Sequence, residues 1–291
     1  MRDIKLLDCT LRDGGYLNDW EFGHSKIINI YERLIASGVE MIEIGFLDDR
    51  RPYDVNRTIF PDTASIRESF KSTTKRPPVM VGMIDYGTCS IDNLEDRKDS
   101  ILDGIRVIFK KHLMDDAMAF VKQIKDKGYI VTAQLVAVSE YTDEDIAKIS
   151  KLVNEVRPMA VSMVDTYGLL YPDTMLDLYK KLDAAVDKDI YIGFHAHNNL
   201  QLGYANAMAF IRHETDRNII VDGTLYGMGK SAGNDPIELV APFLNENCGK
   251  NYNVAPMLEV IEESIKEIYI RSPWGYRTQF YLSAENECHP N

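Results

Sequence analysis

Cysteine is scarce and scattered in this chain: Cys9, Cys89, Cys248 and Cys288 show no CxxC spacing. That excludes a disulfide framework or a structural zinc cluster as the organising element, and it suits a reducing compartment. No apolar run reaches the roughly 18 residues of a membrane span, and the opening MRDIKLLDCTLRD lacks the basic flank and long apolar core of a secretory leader. Basic charge is short as well: 33 Lys and Arg against 45 Asp and Glu leave a formal net charge of -12. Such a surface repels nucleic acid and anionic lipid, although one basic pocket can still hold an acidic small molecule. Gly/Ser linkers, low-complexity tracts and internal repeats of about 20 to 50 residues are all missing. Together these absences predict a cytoplasmic protein with neither nucleic acid nor membrane as a partner.

What is present is a regular alternation. Eight short runs rich in β-branched and apolar residues recur: IKLLDCTL, EMIEIGFL, VMVGMID, GIRVIFK, IVTAQLVAV, AVSMVDT, DIYIGFHAH and NIIVDGTL. Between them lie stretches with helical spacing. Ser25 precedes Ile27, Ile28, Tyr31, Leu34 and Ile35, with Gly38 as a stop; Thr142 and Asp145 stand in capping-box spacing before Ile146, Ile149, Val153 and Val156; Pro172 opens a stripe of Met175, Tyr179, Leu182 and Val186. Eight strand-helix units in 291 residues predict a parallel (β/α)8 barrel over residues 1–245 rather than an open doubly wound sheet. The third unit is the weak one, because SIDNLEDRKDS is short and polar for a crossover helix. Residues 246–291 read as a C-terminal extension whose stripe of Met257, Val260, Ile261, Ile265 and Ile268 packs on the barrel or on a second subunit, which makes a homodimer the expectation. The chain stops at Cys288-His289-Pro290-Asn291 without a helix stop or charged tail, as a piece cut from a longer protein would.

In IYIGFHAHNN, His195 and His197 are two residues apart on a strand, so both imidazoles project from the same face at its C-terminal end. That end of a barrel is where active sites assemble, and the first strand delivers Arg12 and Asp13 to it. Two histidines and one carboxylate can hold a metal with coordination positions left open for substrate. Taken singly, HxH also fits two satisfied polar residues, and Arg12-Asp13 an ordinary surface pair. The loop GTLYGMGKSAGN is glycine-rich, but Thr224 stands where a P-loop needs its first glycine, so a nucleotide cradle is excluded on spacing.

DCTLRDGG, MIEIGF, VDTYG, GFHAHNN and DGTLYGMGKSAGN, occurring in this order over about residues 4–245, resemble the DRE-TIM metallolyase (HMGL-like) superfamily. That group includes 4-hydroxy-2-oxovalerate aldolases, isopropylmalate and homocitrate synthases and hydroxymethylglutaryl-CoA lyases. The resemblance implies a divalent cation, Mn²⁺ or Mg²⁺ with Zn²⁺ as an alternative, held by Asp13, His195 and His197. Asn234 would be a further ligand or lie just behind the ligands. Arg12 would match the arginine that stabilises an enolate, and Glu43 a carboxylate near the substrate in some members. The expected reaction is cleavage or formation of a C–C bond of a 2-oxo acid such as pyruvate, with an aldehyde as the second partner; a Claisen-type acyl-CoA synthase, or metal binding without turnover, is the alternative.

The chain departs from the family pattern in ways that matter. The aldolases carry a histidine three residues after the motif's aspartate, and here that position is Tyr16. A phenol with an ordinary pKa near 10 serves as a base only if its surroundings depress it strongly, which leaves Tyr16 as base, acid or substrate wall and His24 as a nearby substitute. The loop after strand eight has no cysteine, unlike the lyases that use one there. The tail is short, so a partnership with a dehydrogenase does not carry over.

Overall fold

The structure, a computed structural model, describes residues 2–288; His289, Pro290 and Asn291, at the suspected cut end, lie outside the described residues. Eight parallel strands form the barrel: β1 (Ile4–Asp8), β2 (Met41–Leu47), β3 (Val79–Asp85), β4 (Gly104–Phe109), β5 (Ile130–Leu135), β6 (Ala160–Asp165), β7 (Tyr191–Ala196) and β8 (Ile219–Gly223). Each pairs with the next, and β1 pairs with both β8 (Ile4↔Ile219 through Asp8↔Gly223) and β2 (Leu7↔Met41, Asp8↔Ile42), which closes the sheet into a (β/α)8 barrel. A two-residue strand, Ile59–Phe60, which the sequence pattern had not suggested, pairs with the end of β2.

The helices follow the apolar spacing. His24–Ala36 buries Ile27, Ile30, Tyr31 and Leu34; it begins one residue before Ser25, from Gly23, and Gly38 at φ 81 follows its end. Thr142 and Asp145 form the capping box of Asp143–Val156, and Pro172 occupies the first turn of Pro172–Ala185. The third unit has no helix: a 3-10 turn, Ile91–Asn93, is the regular structure between β3 and β4. The last barrel helix, Ile237–Cys248, runs across residue 245, and the extension continues through Ala255–Arg271 and Thr278–Glu285. Met257, Val260, Ile261, Ile265 and Ile268 all lie in the main core of the barrel. The stripe is therefore covered within the chain, which removes the argument for a homodimer drawn from it. All four cysteines are free.

Strand alternation stacks the interior in layers. Leu7, Met41, Val81, Ala160 and Ile220 plug the lower end. Above them stand Glu43 and Asp222, two residues further along β2 and β8, and beside these Arg106, Gln134 and His195 of β4, β5 and β7, all nearly inaccessible. Two further again are the walls of the mouth. β2 is irregular here: Gly45 has φ 144, and a Cβ on it would sit 2.0 Å from the Thr58 carbonyl oxygen. That bulge turns Phe46 into the mouth. Among the described residues, no helix is long and apolar enough to cross a membrane.

Candidate metal centre and active site

The first strand stops earlier than its apolar run. The Asp8 carboxylate accepts from the Thr10 N–H at 3.0 Å and from its hydroxyl at 2.7 Å, and the chain folds into a helical turn, Thr10–Asp13. That turn tucks Arg12 and Asp13 inward, 4% and 1% exposed, so they are not a surface pair. Arg12 Nε donates to Glu43 at 2.7 Å, and its guanidinium also holds Asp13 Oδ1.

His195 lies in β7, and His197 follows the strand's end in an isolated bridge with Asn234. Their ring planes stand 81° apart with centroids 5.0 Å apart. In each ring Nδ1 is occupied: that of His195 lies 3.2 Å from Asp222 Oδ2, and that of His197 lies 3.0 Å from the Asp165 carbonyl oxygen. Both Nε2 atoms are buried without a hydrogen-bond partner. Ligand atoms of Asp13, His195 and His197 all lie within 4.8 Å of one another. A buried imidazole nitrogen left bare costs free energy unless something else occupies it. Two bare Nε2 atoms facing a carboxylate, each with its Nδ1 fixed from behind, are the arrangement of metal-binding histidines. These residues fit a divalent cation.

Electrostatics agree. Burial opposes ionisation of Asp13, but Arg12 and then His197 outweigh it and hold the carboxyl well below its usual range. Burial pushes His195 down, keeping its ring neutral. Both are the ligating forms. Asn234 donates to Asp13 Oδ2 at 2.7 Å, and its own Oδ1 is buried and unpartnered.

The cleft above these groups, about 140 Å³, is lined by Arg12, Asp13, Tyr16, both histidines and an apolar wall that includes Phe46 and Met83. Glu43 is not among its lining residues; it lies beneath Arg12. His24 is not there either, and its Nε2 meets the Ser69 carbonyl oxygen at 2.9 Å. Tyr16 does line the cleft, packed edge-on against Trp20 and Phe46. Burial pushes its phenol up, and the opposing pull of Arg12 is smaller.

Sequence reasoning passed over Asp85, Lys110, Gln134, Thr166 and Lys230 in the same lining. It also passed over Arg106, which ion-pairs with Asp222 and Glu43. The signal was available for most of them. Counting in twos from each strand's buried residues leads from Val81 to Asp85, from Arg106 to Lys110 and from Ser162 to Thr166.

The HMGL-like family model matches residues 108–261, more than half of the chain. The chain belongs to the HMGL-like family. Among its relatives, 4-hydroxy-2-oxovalerate aldolase 6 of Rhodococcus jostii (strain RHA1) is 25% identical, with 97% of this chain and 82% of that protein covered. Oxaloacetate decarboxylase of Mycobacterium tuberculosis is 27% identical over 94% of this chain and 79% of its own length. The solved N-terminal domain of a Bacteroides vulgatus protein superimposes with a TM-score of 0.80 at 25% identity, covering 98% of this chain and 94% of that one. Hydroxymethylglutaryl-CoA lyase from Pseudomonas aeruginosa, 16% identical with a TM-score of 0.74 and 98% of each chain covered, shares the barrel.

Proposed function

We propose that this HMGL-like protein is a divalent-metal-dependent aldolase, a carbon–carbon lyase acting on a 2-oxo acid such as pyruvate through its enolate, with an aldehyde as the second reactant. The observation that carries this reading is the pair of bare Nε2 atoms of His195 and His197 facing Asp13, with Arg12 alongside. Relatives named 4-hydroxy-2-oxovalerate aldolase support the reaction class. Mn²⁺ or Mg²⁺ is the cation proposed, with Zn²⁺ admitted by the same donors, and the cytoplasm the proposed location. When bound, the cation supplies Lewis-acid polarisation of the oxo acid.

The chain's own residues divide the remaining work. Asp13, His195 and His197 are the proposed ligands, and Asn234 orients Asp13 from behind. Arg12 offers a fixed, buried positive charge to the oxygen that becomes negative as the enolate forms. Glu43 keeps Arg12 in place and acts through it. Tyr16, held protonated, donates a hydrogen bond or walls the cleft, so the proton-accepting group is another one. The apolar wall around Phe46 and Met83 excludes water from the reacting carbon. Barrel residues 1–245 carry this machinery, and the extension 246–291 braces the loop after β8 through Trp274, whose indole N–H donates to the Tyr226 carbonyl oxygen at 2.9 Å.

The test is loss of the pyruvate methyl proton signal in D₂O with Mn²⁺, with EDTA and Asp13→Asn as controls. Exchange that needs both the cation and Asp13 is expected. Equal exchange by Asp13→Asn would sink the assignment.

A further inference from the structure

Past Tyr16 and Lys230 the cleft adjoins a second, more open groove of about 510 Å³, to which Ser231, Arg271, Ser272 and Arg277 also contribute. Tyr16 and Lys230 line both spaces, so the metal centre and the groove meet at these two side chains. Among the described residues, three cationic side chains line the groove and no carboxylate does. That runs against the bias of a chain in which acids outnumber bases by 45 to 33.

The present partners of the two arginines are weak or replaceable. Arg271 pairs with Glu267 four residues before it, and its side chain is 74% exposed. Exposed pairs of that kind contribute little. Glu267 has Lys26 as a second partner, so Arg271 can leave without stranding a charge. Arg277 donates to the Pro273 carbonyl oxygen at 2.6 Å through one nitrogen, and its guanidinium lies 5.8 Å from the Phe280 ring centroid. Two guanidinium groups, an ammonium and two serine hydroxyls are donors suited to the several oxygens of a phosphate ester, which guanidinium binds in a two-point fashion. A single carboxylate would leave most of them idle.

We propose that this groove receives the phosphate ester of the second reactant, so that the acceptor is a phosphorylated aldehyde. This deepens the aldolase reading and rests on it. In the addition step the enolate carbon of the 2-oxo acid bonds to the aldehyde carbon. The aldehyde's C=O π pair moves to oxygen, which takes one proton to become the new hydroxyl, and the phosphate is unchanged. No oxidant or reductant is needed.

The experiment has three arms. First, aldol addition of pyruvate with Mn²⁺ is compared for D-glyceraldehyde 3-phosphate and D-glyceraldehyde, with acetyl-CoA as the other source of a phosphate-bearing reactant. The phosphorylated aldehyde is expected to show kcat/KM at least about tenfold higher. That ratio should fall about tenfold in Arg271→Gln/Arg277→Gln and be partly restored in Arg271→Lys/Arg277→Lys, which keep charge but lose the two-point geometry. Equal use of both aldehydes, a preference that survives the glutamine pair, or condensation with acetyl-CoA instead would overturn the acceptor assignment. Second, glycerol 3-phosphate is titrated calorimetrically into wild type and the glutamine variant, with weaker binding expected in the variant; identical binding overturns the groove. Third, metal-dependent pyruvate exchange separates the two failures. Phosphate-ester binding without exchange defeats the aldolase reading, and with it the aldehyde, while leaving the phosphate groove standing; exchange without phosphate preference defeats the present inference alone.

Discussion

Asp222 Oδ2 lies 3.2 Å from His195 Nδ1 and is ion-paired with Arg106, whose other nitrogen stands 3.2 Å from Glu43. Glu43 in turn accepts from Arg12 Nε. One buried run of alternating charges thus joins a metal-facing imidazole to the arginine beside the substrate space.

Asp222→Asn should therefore weaken Mn²⁺ binding by about 10- to 100-fold, because the ring loses the carboxylate that fixes its tautomer and Arg106 loses its counter-charge. Isothermal titration with Mn²⁺ checks this. Undiminished affinity would mean that Asp222 serves only the fold.

Gly229 is closed to any side chain. A Cβ there would lie 2.5 Å from Asn234 Nδ2 and 2.6 Å from Asp13 Oδ2. Gly229→Ala should push both groups aside, lowering metal affinity at least about tenfold while moving Tm little, since the clash is with side chains of the site and not with the core. A variant with wild-type affinity would show that Asp13 does not need its present position.

Tyr16 yields a prediction about pH. Burial raises its phenol above the ordinary value of 10.0, so it stays protonated throughout the range in which the protein is assayed. Tyr16→Phe should keep every limb of the exchange-rate profile and lose less than about tenfold in rate, the scale of one hydrogen bond. Disappearance of a limb would make Tyr16 the titrating base after all.

Behind the loop that follows β8, burial raises the carboxyl of Glu238 from 4.5 to about 7, and that of Asp8 from 3.8 to about 7. The folded state thus holds these protons more tightly than the unfolded chain does. Their favourable contribution is complete below about pH 4 and is lost as pH rises towards about 7. Glu238 Oε2 accepts from the Tyr226 N–H at 3.1 Å, a bond that glutamine can also accept. Glu238→Gln should raise Tm at pH 8, by a stability gain on the order of 2 kcal/mol, and change it little at pH 4. An equal shift at both values would remove Glu238 from the pH dependence.

All eight barrel strands were legible as β-branched runs, since strands buried on both faces have little choice of side chain. The weak third unit was legible too, because SIDNLEDRKDS has no apolar stripe to bury. The turn at Thr10 was not, since Cys9 and Leu11 are as apolar as a strand requires and only the Asp8–Thr10 hydrogen bonds stop it. The residues proposed as ligands stood out by chemistry and spacing, whereas Asp222 and Arg106 did not. Their partners lie 27 and 116 residues away along the chain, and nothing local marks them. His24 drew notice by proximity in sequence, but the helix it begins lies outside the barrel.

The extension carries a π-helical turn, Ile261–Ile265, between Ala255–Val260 and Lys266–Arg271. Such a turn holds one residue more than an α-helix would place there. Deleting any one of the five would restore a regular helix at little local cost. The extra residue is taken up within the turn, so everything downstream would keep its place: Ile268 in the core, Trp274 on the Tyr226 carbonyl and Arg271 at the groove. Descendants of this chain are thus free to lose one codon from that turn, but not from the regular helix on either side, where the same loss would swing everything downstream by about 100°, draw it back by about 1.5 Å and unlatch the loop carrying Gly229 and Asn234 from a distance.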